Sequence, residues 1–196
     1  MFYYIIGGSG SGKSEFAESC CVRLHSEKKL YIATMEPYDE ESRRRIARHR
    51  KMRDGKGFDT LECYTHLEHV EIEPGCTVLL ECMSNLAANE MFSEKGRKEQ
   101  TARTIYEGVL RLREQAEHLV VVTNQVFSDG ITYDPGTQEY LRVMAEINSR
   151  AAAAADVVCE VVHGIPVFLK GQKKSVSAER QKQKNEDRER VSEDGI

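Results

Sequence analysis

Residues 7–14 read GGSGSGKS, and this stretch decides the fold of the chain. It satisfies the pattern G-x-x-x-x-G-K-[ST] and follows a short apolar run at residues 2–6. In this pattern glycines let successive backbone N–H groups turn towards phosphate oxygens, where a Cβ would obstruct them. The lysine then reaches the terminal phosphates, and the serine hydroxyl ligates Mg²⁺. The sequence therefore predicts a strand, a phosphate-binding loop and a helix from Lys13 that together bind a nucleoside triphosphate.

Outward from this loop, apolar and β-branched runs alternate with helical patterns. Further strands are predicted at about residues 30–34, 60–64, 77–82 and 119–124. Helices are predicted at about residues 13–25, 39–53 (with Asp39 as N-cap), 85–92 and 99–117, and in a segment with one apolar face made by Leu141, Met144, Ile147 and Ala151. Residues 157–162 and 167–169 resemble a closing hairpin. This alternation predicts an α/β fold with a mainly parallel sheet flanked by helices.

Composition limits the class of protein. The 196 residues suit one domain, expected at residues 1–171, and the net charge of −4 gives no basic field for a nucleic acid. No apolar run is long enough to span a membrane, and residues 1–8 predict a strand, not a signal peptide. The six cysteines have no C-x-x-C spacing, which favours reduced thiols over a zinc site and predicts a cytoplasmic protein.

The composition changes after residue 171. Residues 172–196 hold seven basic and six acidic side chains among 25 residues, with few aliphatic ones. Such a segment cannot bury enough apolar surface to offset its ordering entropy. It is predicted to be a disordered tail or a solitary charged helix without a catalytic role.

Two acidic residues are candidates for the site. Glu81 ends the apolar run TVLLEC, where a P-loop enzyme places the carboxylate that positions its metal ion. The alternative is a solvated carboxylate at a strand end. Glu62 is a weaker candidate for a nucleotide contact, because most such carboxylates simply face solvent.

Residues 41–53 form a very basic helix, with seven cationic side chains and one histidine. Arg45, His49 and Arg53 are spaced i, i+4, i+8, so that one face presents an imidazole between two guanidiniums. Neighbouring positive charges favour the neutral, nucleophilic imidazole and attract a triphosphate. Such a histidine can attack an α-phosphorus and form a covalent intermediate. An ordinary histidine on a helix surface is the alternative.

The order of motifs along the chain resembles one family. The motifs are GG-x-x-SGKS, LYIAT, RIARHR, LECY, LLEC, VVTN and N-x-R-x-AAAAD, and they cover about residues 1–170. This order is similar to that of the bifunctional adenosylcobinamide kinase and adenosylcobinamide-phosphate guanylyltransferase family of cobalamin assembly. The resemblance implies a RecA-like P-loop fold and a homotrimer.

The resemblance also implies two activities. The first phosphorylates adenosylcobinamide with ATP or GTP, and the second transfers GMP from GTP to adenosylcobinamide phosphate through a guanylylated histidine. By motif, His49 would carry GMP, Lys13 would act in catalysis, and Ser14 and Glu81 would hold Mg²⁺. The residues that the resemblance implies as nucleotide contacts are Gly7, Gly8, Ser9, Gly10, Ser11, Gly12, Lys13, Ser14, Thr34, Arg50, Lys51, Met52, Arg53, Glu62 and Glu81.

This chain departs from the family pattern at three positions. Gly10 stands where the family usually carries arginine, and Gln125 and Phe127 stand where it usually carries glutamate and glycine. Two other readings therefore stay open at the level of sequence. One is a diverged P-loop kinase or NTPase acting on another small molecule, and the other is a nucleotide-sensing interaction module.

Overall fold

The structure is a computed structural model, and it describes residues 1–126 and 133–171. Within these residues one sheet has the strand order β3-β2-β4-β5-β1-β6-β7. Every neighbouring pair is parallel except the antiparallel pair β6–β7. The strands are β1 (Phe2–Gly7), β2 (Lys28–Ala33), β3 (Phe58–Glu62), β4 (Cys76–Glu81), β5 (His118–Asn124), β6 (Val157–Val162) and β7 (Ile165–Lys170).

Helices lie on both faces of this sheet. They are α1 (Lys13–Arg23), α2 (Glu40–Arg53), α3 (Met83–Phe92), α4 (Thr101–Gln115) and α5 (Pro135–Ala154). Helices α3, α4 and α5 cover one face, and α1 covers the other. Two short 3₁₀ turns occur at Leu67–His69 and Lys98–Gln100. None of the helices in the described part of the chain is long and apolar enough to cross a bilayer.

The central strands explain why the site has a fixed frame. All six residues of β4 are buried, as are the five inner residues of β5, which is typical of parallel strands covered on both faces. Because these strands run parallel to β1 and β2, their carboxyl ends meet at one edge of the sheet. That edge carries the glycine-rich loop after β1 and the side chains of Glu81 and Asn124 at the ends of β4 and β5.

The predicted fold class is confirmed, with its mainly parallel sheet and closing hairpin. Several boundaries differ from the predictions by one or two residues. The helix predicted at 99–117 begins with the 3₁₀ turn, so that α4 spans only Thr101–Gln115, and the strand predicted at 60–64 lies at Phe58–Glu62. Leu141 is only half-buried, because Val143 and Met144 together occupy the buried stripe of α5. Phe127 and the tail at 172–196 lie outside the described residues.

Candidate active site

The glycine-rich loop joins β1 directly to α1. Gly12 has φ +86°, a left-handed conformation that side chains rarely adopt, and Lys13 begins the helix. A Cβ on Gly7 would lie 2.5 Å from Ser11 Oγ and 2.9 Å from the carbonyl oxygen of Val161. Lys13 Nζ donates a hydrogen bond to the carbonyl oxygen of Gly8 at 3.0 Å. The lysine therefore lies across the loop, at the positive end of the α1 dipole, as a phosphate site requires.

The turn between β6 and β7 packs against this loop. The backbone N–H of Gly164 donates to the carbonyl oxygen of Ser11 at 2.8 Å. A Cβ on Gly12 would lie 3.2 Å from the Cα of Gly164, which is a close approach between two backbones. The C-terminal hairpin thus braces the loop from outside.

Glu81 is the buried acidic group at the centre of the site, with 7% of its surface exposed. The hydroxyl of Ser14 donates to Oε1, and the hydroxyl of Tyr31 donates to Oε2 at 2.9 Å. Burial, and then the negative charge of Glu81, raise the pKa of Tyr31. The phenol therefore stays protonated and remains a donor to the carboxylate.

His49 faces the same carboxylate from α2. Its Nδ1 atom lies 3.6 Å from Glu81 Oε1, and Nδ1 is buried without a hydrogen-bond partner among residues 1–126 and 133–171. A carboxylate beside Nδ1 favours the tautomer that carries its proton there, which leaves the lone pair on Nε2. One turn further along the helix, the guanidinium of Arg53 stacks 3.4 Å from the ring centroid of Tyr31. Tyr31 therefore contacts both the end of α2 and the central acid.

Two cavities meet at His49 and Glu81. The loop cavity, of about 320 Å³, is lined by residues 9–15 together with Arg45, Arg48 and Asn124. The strand cavity, of about 600 Å³, lies over the ends of β2 and β3 and is lined by Arg50, Arg53 and Glu62 among others. His49, Glu81 and Met35 line both cavities. A group held between them can react with a molecule that extends from one cavity into the other.

Comparison with known proteins adds the decisive observation. The family model described as cobinamide kinase / cobinamide phosphate guanyltransferase matches residues 3–169. The chain belongs to this family.

Curated relatives in the cobinamide kinase / guanyltransferase family match nearly over their full length. The bifunctional adenosylcobalamin biosynthesis protein CobU of Escherichia coli K12 is 31% identical over 184 residues, which are 87% of this chain and 100% of the relative. CobU of Salmonella typhimurium is 30% identical with the same coverage. The protein CobP of Pseudomonas aeruginosa is 30% identical over 175 residues, which are 86% of this chain and 96% of that protein.

Solved structures outside the family are more distant. A prototypical ATPase from the type III secretion system of pathogenic bacteria is 11% identical and has a TM-score of 0.48, with 81% of this chain and 50% of that chain covered. The flagellar accessory protein FlaH of Methanocaldococcus jannaschii is 10% identical, with a TM-score of 0.43 and coverage of 87% and 78%. Similarities at this level carry no argument about function.

The structure brings most of the predicted site residues of this cobinamide kinase / guanyltransferase together. Glu62 accepts hydrogen bonds from Arg50 at 3.1 Å and from the hydroxyl of Tyr64 at 2.8 Å. Thr34 is fully buried, and its hydroxyl donates to the carbonyl oxygen of Cys82 at 2.9 Å. Among residues 50–53, Met52 lines the loop cavity, and the two arginines line the strand cavity. Lys51 is exposed and lines neither cavity.

Sequence reasoning missed several residues of the site, among them Tyr31, Arg48 and Asn124. Tyr31 lies within the apolar run of β2 and gave no signal of its own. Arg48 lines the loop cavity and lies on the helix face of Arg45, so the spacing that singled out Arg45 could also have found it. Asn124 is the polar residue that ends the buried strand β5, and its amide donates to the hydroxyl of Ser84 at 2.7 Å. Polar residues at the ends of parallel strands are the general signal for such a site.

Proposed function

We propose that this protein phosphorylates adenosylcobinamide and then transfers GMP from GTP to adenosylcobinamide phosphate through a guanylylated His49. Membership of the family supports both reactions, and its curated relatives carry the name bifunctional adenosylcobalamin biosynthesis protein. The observation that carries the proposal is the position of His49 between the loop cavity and the strand cavity. No observation favours a kinase with another substrate or a nucleotide sensor.

GTP has matching groups in both cavities. The triphosphate fits the loop cavity, where backbone N–H groups, Lys13, Arg45 and Arg48 supply positive charge. The nucleoside fits the strand cavity, where the carboxylate of Glu62 can accept the two neighbouring N–H donors of a guanine edge. In this arrangement the α-phosphorus lies where the cavities meet, beside His49.

The guanylyl transfer then proceeds in two balanced steps. The lone pair on His49 Nε2 attacks the α-phosphorus, an N–P bond forms, the bond to the β-phosphate oxygen breaks, and pyrophosphate leaves. The proton stays on Nδ1, where the negative charge of Glu81 stabilises the cationic guanylyl-imidazolium. An oxygen of adenosylcobinamide phosphate next attacks the same phosphorus, and the N–P bond breaks to return neutral histidine.

The kinase reaction uses the loop end of the site. The oxygen of a substrate hydroxyl forms a bond to the γ-phosphorus, the bond between that phosphorus and the β–γ bridging oxygen breaks, and the nucleoside diphosphate leaves. The hydroxyl proton passes to water, and Lys13 neutralises charge on the transferring group. The hydroxyl of Ser14 and the carboxylate of Glu81 touch each other, and hard oxygen donors of this kind fit Mg²⁺, so these two residues would hold the ion. When bound, Mg²⁺ neutralises phosphate charge. Family resemblance supports ATP or GTP as phosphoryl donor, a homotrimer and a cytoplasmic location as parts of the same proposal.

The test uses GTP labelled at the α-phosphorus. Wild-type protein should retain acid-labile, base-stable label and release pyrophosphate without any corrinoid present. His49→Asn keeps polarity but removes the nucleophile, so labelling and guanylyl transfer should vanish while phosphorylation of adenosylcobinamide persists. Label on the His49→Asn protein would assign the covalent step to another residue.

A second histidine provides the matched control. His25 is exposed just after α1 with φ +55°, a conformation that asparagine tolerates. His25→Asn should therefore label as wild type does. Equal loss in both variants would mean that the change from histidine to asparagine acts through stability and not through the nucleophile.

A further inference from the structure

A groove along α3 continues outward from the active site and is larger than either nucleotide cavity. This α3 groove has a volume of about 940 Å³ and lies between α3 and the segments that follow β2 and β3. We propose that the α3 groove binds the corrin macrocycle of the cobinamide substrate. The inference rests on the proposed function, because it names where that enzyme holds its second substrate.

The loop cavity and the α3 groove are connected through a third, smaller cavity. A small cavity of about 330 Å³ at the start of α2 shares Met35, Arg45 and Asn85 with the loop cavity. The same small cavity shares Glu36, Tyr38, Ala88 and Asn89 with the α3 groove. A ligand in the groove can therefore extend an arm past Met35 towards Lys13 and His49. Both proposed reactions need this path, because both act on the end of the same arm.

The charged side chains that line the α3 groove and the loop cavity give these two spaces net charges of opposite sign. Three carboxylates (Glu36, Glu62, Glu94) and one ammonium group (Lys95) line the α3 groove. Because Arg50 pairs with Glu62, the remaining groups leave an excess of one negative charge. The loop cavity has three cations (Lys13, Arg45, Arg48) against two carboxylates (Glu15, Glu81), which gives an excess of one positive charge. An acidic groove repels a triphosphate. It suits a corrinoid, whose cobalt centre is cationic and whose rim of carboxamides donates hydrogen bonds.

Exposed aromatic side chains in the α3 groove offer apolar contacts to a ligand. Tyr38 is 65% exposed and Phe92 is 61% exposed, although both line the groove. Phe92 is held by the ring of Tyr140, with 6.3 Å between their centroids. Asn89 fixes the inner wall by donating from its amide to the carbonyl oxygens of Thr34 and Tyr64, at 2.9 and 3.0 Å. Aromatic rings beside a polar wall that is held by hydrogen bonds are typical of sites for large flat ligands.

The experiment separates corrinoid binding from nucleotide chemistry. Tyr38→Ala and Phe92→Ala should each raise KM for adenosylcobinamide by about tenfold, since a lost aromatic contact is of this order. The same variants should take label from α-labelled GTP at the wild-type rate, because that half-reaction uses no corrinoid. Ala88→Trp, which fills the groove where it meets the small cavity, should raise the KM in both the kinase and the transfer assay.

Leu169→Ala is the matched control, since Leu169 is 61% exposed on β7 and lines none of these cavities. Unchanged KM in Tyr38→Ala and Phe92→Ala would overturn the proposal. A change in sedimenting mass for these variants would also overturn it, because the groove would then be a contact between copies of the chain. Loss of labelling in the wild-type protein would instead contradict the proposed function itself.

Discussion

Helices α1 and α2 each carry one of the two proposed catalytic groups, Lys13 and His49, but the fold holds the two helices very differently. In α1 five of eleven residues are buried, among them Lys13, Ala17 and Cys21. In α2 only Arg53 is buried among fourteen residues. Helix α1 is part of the core, whereas α2 is held by a few polar contacts near its two ends. The phosphate site is therefore built with the core, and the position of the nucleophile is set separately.

The contacts that hold α2 can be named. Asp39 and Ser42 form a capping box at its start, in which the Asp39 side chain accepts from the Ser42 backbone N–H. At its end Arg50 pairs with Glu62, and Arg53 stacks on Tyr31. These contacts reach β2 and β3, the strands that line the strand cavity. A nucleotide in that cavity would bind the same groups that position the helix.

The largest effect on turnover is expected in α1, the helix that is part of the core. Lys13→Ala should lower the rate of both reactions by about 10²–10³, because the lysine neutralises charge on the transferring group. The melting temperature should stay close to wild type, since the lysine side chain makes a single hydrogen bond within the described part of the chain, to the Gly8 carbonyl. Lys28→Ala, on the surface of β2, is the control. Turnover within tenfold of wild type for Lys13→Ala would contradict the role of the loop.

A smaller effect on turnover is expected at Tyr31, which contacts both Glu81 and the end of α2. Tyr31→Phe keeps the ring under Arg53 but removes the donor to Glu81, and hydrogen bonds to charged groups are worth about 1.5–3 kcal/mol. We expect kcat for both reactions to fall about tenfold or more, with KM for GTP unchanged. Tyr31 then acts as a positioning residue for the carboxylate.

Tyr4→Phe is the matched control for Tyr31→Phe. Tyr4 is fully buried, and its hydroxyl donates to Asn148 at 2.6 Å, away from both cavities. This variant should lower the melting temperature and leave kcat near wild type. If both variants lost kcat equally, the effect of Tyr31 would be one of stability.

The smallest effect is expected on the melting temperature, when the N-caps of α2 and α5 are removed. Asp39 caps α2 and Asp134 caps α5, and each accepts backbone hydrogen bonds through its side chain. Asp134→Ala should lower the melting temperature by about 2 °C, because α5 packs on the core and unfolds with it. Asp39→Ala should leave the melting temperature nearly unchanged and speed amide exchange at the start of α2. Equal shifts in melting temperature would mean that α2 is as firmly packed as α5.

The parts of the fold that could be predicted are those that depend on residues close together in the sequence. Asp39 as N-cap, the loop before Lys13 and the buried run of β4 each depend on neighbouring residues. Tyr31 escaped prediction because its partner is set by strand pairing. The register of β2 and β4 places Ala33 beside Glu81, and Tyr31 lies two residues earlier on the same face of the sheet. The hydrogen bond from Gly164 to the loop also joins segments that are distant in sequence, and the loop motif alone does not predict it.

That hydrogen bond has a consequence for the order in which the chain is made. The loop at residues 7–14 is synthesised about 150 residues before its partner Gly164, and β6, which pairs with β1, is equally late. The phosphate loop therefore reaches its final geometry only after β6 and the turn at Gly164 have been made. We expect a nascent chain halted before residue 157 to be unable to retain GTP, and one in which residues 1–171 have all left the exit tunnel to bind it. A segment made early thus becomes competent only when a segment made much later has joined it.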